Sequence, residues 1–181
     1  MPKLKLFILS LILTTIAGLS FFYFTRLPIP ASLTQITADI YISPQLQATD
    51  IPRLRNRGIQ TIVDFRPDGE SADQPSHLQI QSASQTEGIE FHYLPIPHES
   101  IPDSAVDALA NILSTSPKPL LLYCRTGRRA ARTFSLAQAS LPTGPDLQTI
   151  LSQTAHVGFS ATDLQANIIT RIACRPLVPK S

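Results

Sequence analysis

The chain has 181 residues, is 43% hydrophobic and 15% charged, and carries a formal net charge of +2. Those values exclude a disordered charged tail and a polybasic nucleic-acid binder, whose footprint needs clustered Lys and Arg. Sixteen Pro and seven Gly follow no repeat, which excludes collagen-like and solenoid architectures, and two cysteines without a Cys-x-x-Cys argue against a zinc site or a disulfide scaffold.

Leu6–Phe24 is an uncharged apolar run preceded by Lys3 and Lys5 and followed by Arg26. It is long enough to cross a bilayer as one helix. The positive N-terminal flank places that end in the cytoplasm and the rest of the chain outside it, on the periplasmic side in a bacterium. Residues 1–26 are therefore read as a membrane anchor, with a cleaved signal peptide as the alternative; the Phe21-Phe-Tyr-Phe24 end lacks the small residues of a cleavage site. Residues 27–37 read as a Pro-containing linker, because each proline fixes φ and turns its predecessor away from helix.

Residues 38–181 alternate short apolar runs with helical patterns. Ala38–Ser43 alternates like a strand. Thr49 can cap a helix to Arg57, closed by Gly58. Ile59–Asp64 is a β-branched run bounded by Gly58 and Pro67, hence a buried strand. Pro75 suits the first turn of a helix ending near Gly88, and Ile89–Leu94 alternates again. Asp103–Thr115 has apolar residues along one helical face. Pro119–Tyr123 is continuously apolar, as a strand covered on both faces should be. Helices follow over Arg129–Ser140, Asp146–Ala155 and Ala161–Ile172. This alternation predicts one α/β domain with a central, mainly parallel sheet of four to five strands flanked by helices.

The chemistry concentrates where Tyr123 ends a strand and a helix opens near Arg129. The loop between them places Cys124 at the C-terminal edge of the sheet, the ligand crevice of open α/β folds. Loop N–H groups and the positive helix end meet there and favour an anion or an ionised sulfur. Gly127 permits a turn that a Cβ would block, and the Arg129 guanidinium can hold two oxygens of an oxyanion. Arg125, Thr126, Gly127 and Arg128 complete the predicted anion-binding loop. The bland alternative is an inert buried cysteine among surface arginines.

Four stretches together resemble the phosphatase-like domain of the beta-lactamase hydrolase-like proteins, a bacterial branch related to tyrosine and dual-specificity phosphatases. They are Ile42-Ser-Pro-Gln45, Val63-Asp-Phe-Arg-Pro-Asp-Gly-Glu70, Tyr123-Cys-Arg-Thr-Gly-Arg-Arg129 and the closing helices around Ile150 to Ala173. The resemblance implies a three-layer phosphatase-like fold and a Cys124 thiolate that attacks phosphorus to give a cysteinyl-phosphate, stabilised by loop N–H groups and Arg129. It implies a phosphorylated or other anionic substrate and no metal or organic cofactor. Two departures stand out: tyrosine phosphatases carry five residues between cysteine and arginine where this chain has four, and Ala130 replaces their hydroxyl residue. A loop of this length also resembles rhodanese-like sulfurtransferases, in which the cysteine carries a persulfide. A non-catalytic anion-binding module is the third reading.

A phosphatase needs a general acid. Asp103, on the loop after the third predicted strand, is the candidate; otherwise it complements its own helix N-terminus in a box with Ser100. Asp68 is a rival acid or a turn former. Arg66 either faces the pocket with the loop or pairs with Glu70 at the surface, and His98 is a pocket residue or an exposed loop histidine. Arg132 adds positive potential to the same region. Cys174 could form a disulfide with Cys124 if the two approached each other.

Overall fold

The computed structural model describes residues 33–176. Five strands, β1 (Thr34–Thr37), β2 (Ile40–Ser43), β3 (Thr61–Asp64), β4 (Glu90–Tyr93) and β5 (Leu120–Tyr123), form one sheet in the order β1-β2-β5-β3-β4. The β1–β2 pair is antiparallel and every other pair is parallel. The mainly parallel sheet expected from the sequence is present. Thr34–Thr37, read as linker, is instead its edge strand: three of its four residues are polar and only Ile36 is buried, so it carries little apolar signal.

Six helices cover the sheet: α1 (Ile51–Asn56), α2 (His77–Thr86), α3 (Asp103–Thr115), α4 (Arg128–Ser140), α5 (Leu147–His156) and α6 (Gln165–Ala173). Short 3-10 turns at Ala48–Asp50 and Thr162–Leu164 lead into α1 and α6. Both helices therefore start later than the sequence suggested. Successive side chains of β5 point to opposite faces. Leu120 and Leu122 join an apolar cluster with Val106 and Leu109 of α3, Phe134 of α4, Ile150 of α5 and Ile168 of α6. Leu121 and Tyr123 join a second with Ile51 and Leu54 of α1 and Ile80 of α2. The result is three layers, with four helices on one face and two on the other. All four β5 residues are buried because the strand lies between β2 and β3.

Among the described residues no helix is long and apolar enough to cross a membrane. The predicted anchor Leu6–Phe24 and most of the linker lie outside them.

Candidate active site

β5 ends at Tyr123, Cys124 follows, and Gly127 caps α4 with φ of 90°. That left-handed conformation folds the intervening chain into a tight loop, and the Gly127 N–H donates to Cys124 Sγ at 3.2 Å. Arg128 and Arg129 open α4, so their amides have no earlier helical turn to bond. Cys124 is 2% exposed and lines a cleft of about 640 Å³. Three segments wall the cleft: the 97–103 stretch after β4, the loop and first turns of α4, and the segment containing Asp163, Leu164 and Asn167. Cys124, Arg125, Thr126, Arg128, Arg129, Arg132 and Asp103 all line it, so the structure gathers these sequence candidates.

Arg129 is held in place by partners from neighbouring strand ends. Nη1 donates to the Phe65 carbonyl at 3.0 Å and the Ile96 carbonyl at 2.8 Å, and Nη2 donates to Glu70 Oε1 at 2.7 Å. Three of the five guanidinium N–H groups are thereby bonded to protein, leaving Nε–H and one Nη2–H for a ligand. Glu70 also accepts from Arg66 Nε at 3.0 Å through its other oxygen. Burial works to raise the Glu70 carboxyl, but the bonds from Arg129 and Arg66 outweigh it and hold it below the usual carboxylate range.

Arg66 is 3% exposed and does not line the cleft. Its Nη1 donates to Gln45 Oε1 at 2.6 Å, and the Gln45 N–H donates to the Arg125 carbonyl at 3.3 Å. Arg66 is therefore not one of the anion-contacting groups expected of it. It pairs with Glu70 as the alternative reading had it, but inside the protein, where the pair braces Arg129. Glu70 itself was missed as a functional candidate. Its spacing of four from Arg66 was visible, whereas its bond to Arg129 joins positions 59 residues apart.

Asp103 stands at the cleft rim with its side chain 87% exposed. Pro102, not Ser100, occupies the position before α3, and no side chain caps that helix. Asp103 Oδ1 instead accepts from Arg171 Nη2 of α6. His98 and Glu99 also line the cleft. Asp68 lies outside it, bonded to His77, with 2.6 Å between Oδ2 and Nδ1. Arg132 is held by Asp163 through two contacts of 2.6 Å and by the Ser160 carbonyl. Cys124 and Cys174 are both free thiols, the first buried and the second exposed. The disulfide that would follow if Cys174 approached Cys124 is not formed.

Behind the site, on the other sheet face, Asp64 of β3 is the register partner of Tyr123 of β5. Burial pushes its carboxyl up to about 6, opposed by the Tyr123 hydroxyl and the Arg66 N–H. The Arg66 N–H bond is well formed at 2.8 Å. The buried Tyr123 hydroxyl lacks a well-aligned partner, yet its proximity favours the Asp64 charge.

The model of the beta-lactamase hydrolase-like protein, phosphatase-like domain, matches residues 32–141. A beta-lactamase hydrolase-like protein from Xylella fastidiosa is 26% identical over 106 residues, covering 59% of this chain and 25% of the relative; the chain thus spans about a quarter of the length of the curated relatives it matches. Among solved structures, a putative phosphatase from Neisseria meningitidis is 26% identical with a TM-score of 0.66, covering 77% of this chain and 98% of the other. TpbA from P. aeruginosa, crystallised with pTyr, is similar in fold, with a TM-score of 0.55 at 18% identity over 83% of this chain and 88% of the other.

Proposed function

The chain belongs to the family of the beta-lactamase hydrolase-like protein, phosphatase-like domain, and from that membership we propose that it is a cysteine-dependent phosphatase in which Cys124 is the nucleophile. The observation that carries the reading is Cys124 lining the cleft, its sulfur bonded by the Gly127 N–H, beside an arginine already fixed by Glu70. Attack by the thiolate on phosphorus forms an S–P bond and releases the alcohol oxygen, which takes a proton from a general acid. Water then breaks the S–P bond and regenerates the thiolate. Charge that builds on the phosphoryl oxygens meets the Arg129 amide in the first turn of α4 and the unbonded edge of the Arg129 guanidinium. These donors are in position before substrate arrives and need little reorganisation.

Asp103 is the proposed proton donor, from its place on the rim. Its bond to Arg171 must break first, because a carboxylate accepting from a guanidinium is not an acid. The domain is proposed to act outside the cytoplasm, tethered by Leu6–Phe24.

A sulfurtransferase reading is favoured by two features: the four residues between Cys124 and Arg129, and the buried Ala130, which offers no hydroxyl beside the loop. Parallel exposure of the full-length chain to an aryl phosphate and to thiosulfate separates the two. The phosphatase reading expects aryl phosphate hydrolysis that Cys124→Ser abolishes, and no sulfur adduct on Cys124. Hydrolysis that survives Cys124→Ser rejects it. A mass increase of one sulfur on Cys124 without phosphatase turnover establishes the rival.

A further inference from the structure

The arginines around the cleft divide into two groups. Arg66 and Arg129 share Glu70, Arg132 is held by Asp163, and Arg171 is held by Asp103 and Asp107. Arg125 and Arg128 differ: both are exposed, both line the cleft, and neither side chain has a hydrogen bond or ion pair among the described residues. Arg125 directly follows the nucleophile, and Arg128 is the first residue of α4. Two guanidinium groups thus stand within four residues of Cys124, influenced at longer range by Asp73 and Asp163 respectively but bonded to neither.

One phosphoryl group does not use them. On the phosphatase reading its non-bridging oxygens would be served by the Arg129 amide and the Arg129 guanidinium edge, and a cleft of about 640 Å³ has room well beyond one such group. The other walls carry Glu99, Asp103 and Asp163. An acidic peptide leaving the cleft would pass these carboxylates, whereas a second anion lying next to the first would find the unbonded guanidinium groups of Arg125 and Arg128.

We propose that the cleft recognises a compact molecule bearing two neighbouring phosphate groups, the first above Cys124 and the second held by Arg125 and Arg128. The inference rests on the phosphatase reading and names its substrate class. Guanidinium groups suit the task because each can bond two phosphate oxygens at once.

The test uses binding, so that it does not depend on turnover. Full-length Cys124→Ser protein in detergent is titrated calorimetrically with inorganic phosphate and with inorganic pyrophosphate at fixed ionic strength. Pyrophosphate is expected to bind about tenfold tighter or better. In an added Arg125→Gln/Arg128→Gln pair, that ratio should fall to roughly one, while Arg125→Lys/Arg128→Lys, which keeps charge but loses the planar fork, should retain part of it. Both side chains are exposed, and a melting curve on each variant confirms folding. Equal affinities in the Cys124→Ser parent, or a ratio that the glutamine pair leaves untouched, overturns the proposal. So does an acidic phosphotyrosine peptide that binds more tightly than pyrophosphate. Failure of the chemistry reads out separately, as absent aryl phosphate hydrolysis in the wild-type chain.

Discussion

One oxygen of Glu70 accepts from Arg66 and the other from Arg129, so a change at this carboxylate reaches the cleft through the arginine it positions. Glu70→Gln keeps the shape but turns one acceptor into a donor facing a guanidinium. We expect kcat/KM for an aryl phosphate to fall roughly tenfold to a hundredfold, mainly in kcat, because the anion-facing edge of Arg129 loses its fixed orientation. Glu70→Asp, which keeps the charge, should recover part of the loss. Steady-state kinetics check this, and unchanged kcat in Glu70→Gln would remove Glu70 from the mechanism. Asp64 makes a different prediction. Its folded value near 6 lies above the ordinary 3.8, so between those pH values the folded state keeps a proton that the unfolded chain has released. Stability therefore declines as pH rises through that window, and the full cost, about 3 kcal/mol, is present above it. Asp64→Asn cannot ionise yet still offers an oxygen to the Arg66 N–H. It should melt higher than wild type at pH 7.5 and match it near pH 4. A melting difference that does not change with pH would contradict the assignment. Of these two residues, sequence alone disclosed only the neighbourhood. Asp64 ends an evident strand, but that its side chain lies beside Tyr123 follows from the β3–β5 register, which short apolar runs do not encode.

At the scale of elements, the loop that carries Cys124 depends on one glycine. A Cβ on Gly127 would stand 3.0 Å from Ile42 Cγ2 and 3.3 Å from the Phe159 ring, in addition to the strain of φ at 90°. Gly127→Ala should therefore destabilise the protein by about 1–2 kcal/mol and shift the amide that bonds Cys124 Sγ. We expect aryl phosphate activity to drop by more than an order of magnitude alongside a lower melting temperature. A variant within twofold of wild-type activity would show that the loop tolerates a different turn. The elements themselves were legible where burial imposes a pattern. β5 reads as Leu-Leu-Leu-Tyr because both faces are covered, and α3 shows its apolar stripe because only one face is. The helix starts were less legible. Asp50, not Thr49, supplies the side-chain bond at the turn before α1, its carboxylate accepting from the Gln47 N–H at 2.8 Å. The Asp103 carboxylate goes to Arg171 of α6, a partner 68 positions away that no local capping rule anticipates.

For the molecule as a whole, the sheet order explains why Cys124, the proposed nucleophile, could be placed from sequence. A cysteine directly after the most apolar strand falls at the C-terminal edge of the central strand, and parallel α/β sheets open their crevice there. What the chain did not disclose is which of its arginines are tied to carboxylates, since that depends on groups brought in from elsewhere in the fold. The N-terminal run leads to a prediction at this scale too. The full-length chain expressed in a bacterium should sediment with membranes, resist alkaline carbonate and dissolve in detergent. Recovery of the intact, unprocessed chain in the soluble fraction would refute the anchor.

β3 and β5 run side by side in the same direction, and the segments that leave their ends remain laced together: Phe65 bonds Tyr123, and Glu70 bonds Arg129. The turn that carries Cys124 is consequently not a portable cassette. A transplant of residues 124–129 onto a foreign scaffold would arrive without its brace, and only a graft that carries residues 64–70 on the adjoining strand would reproduce the arrangement.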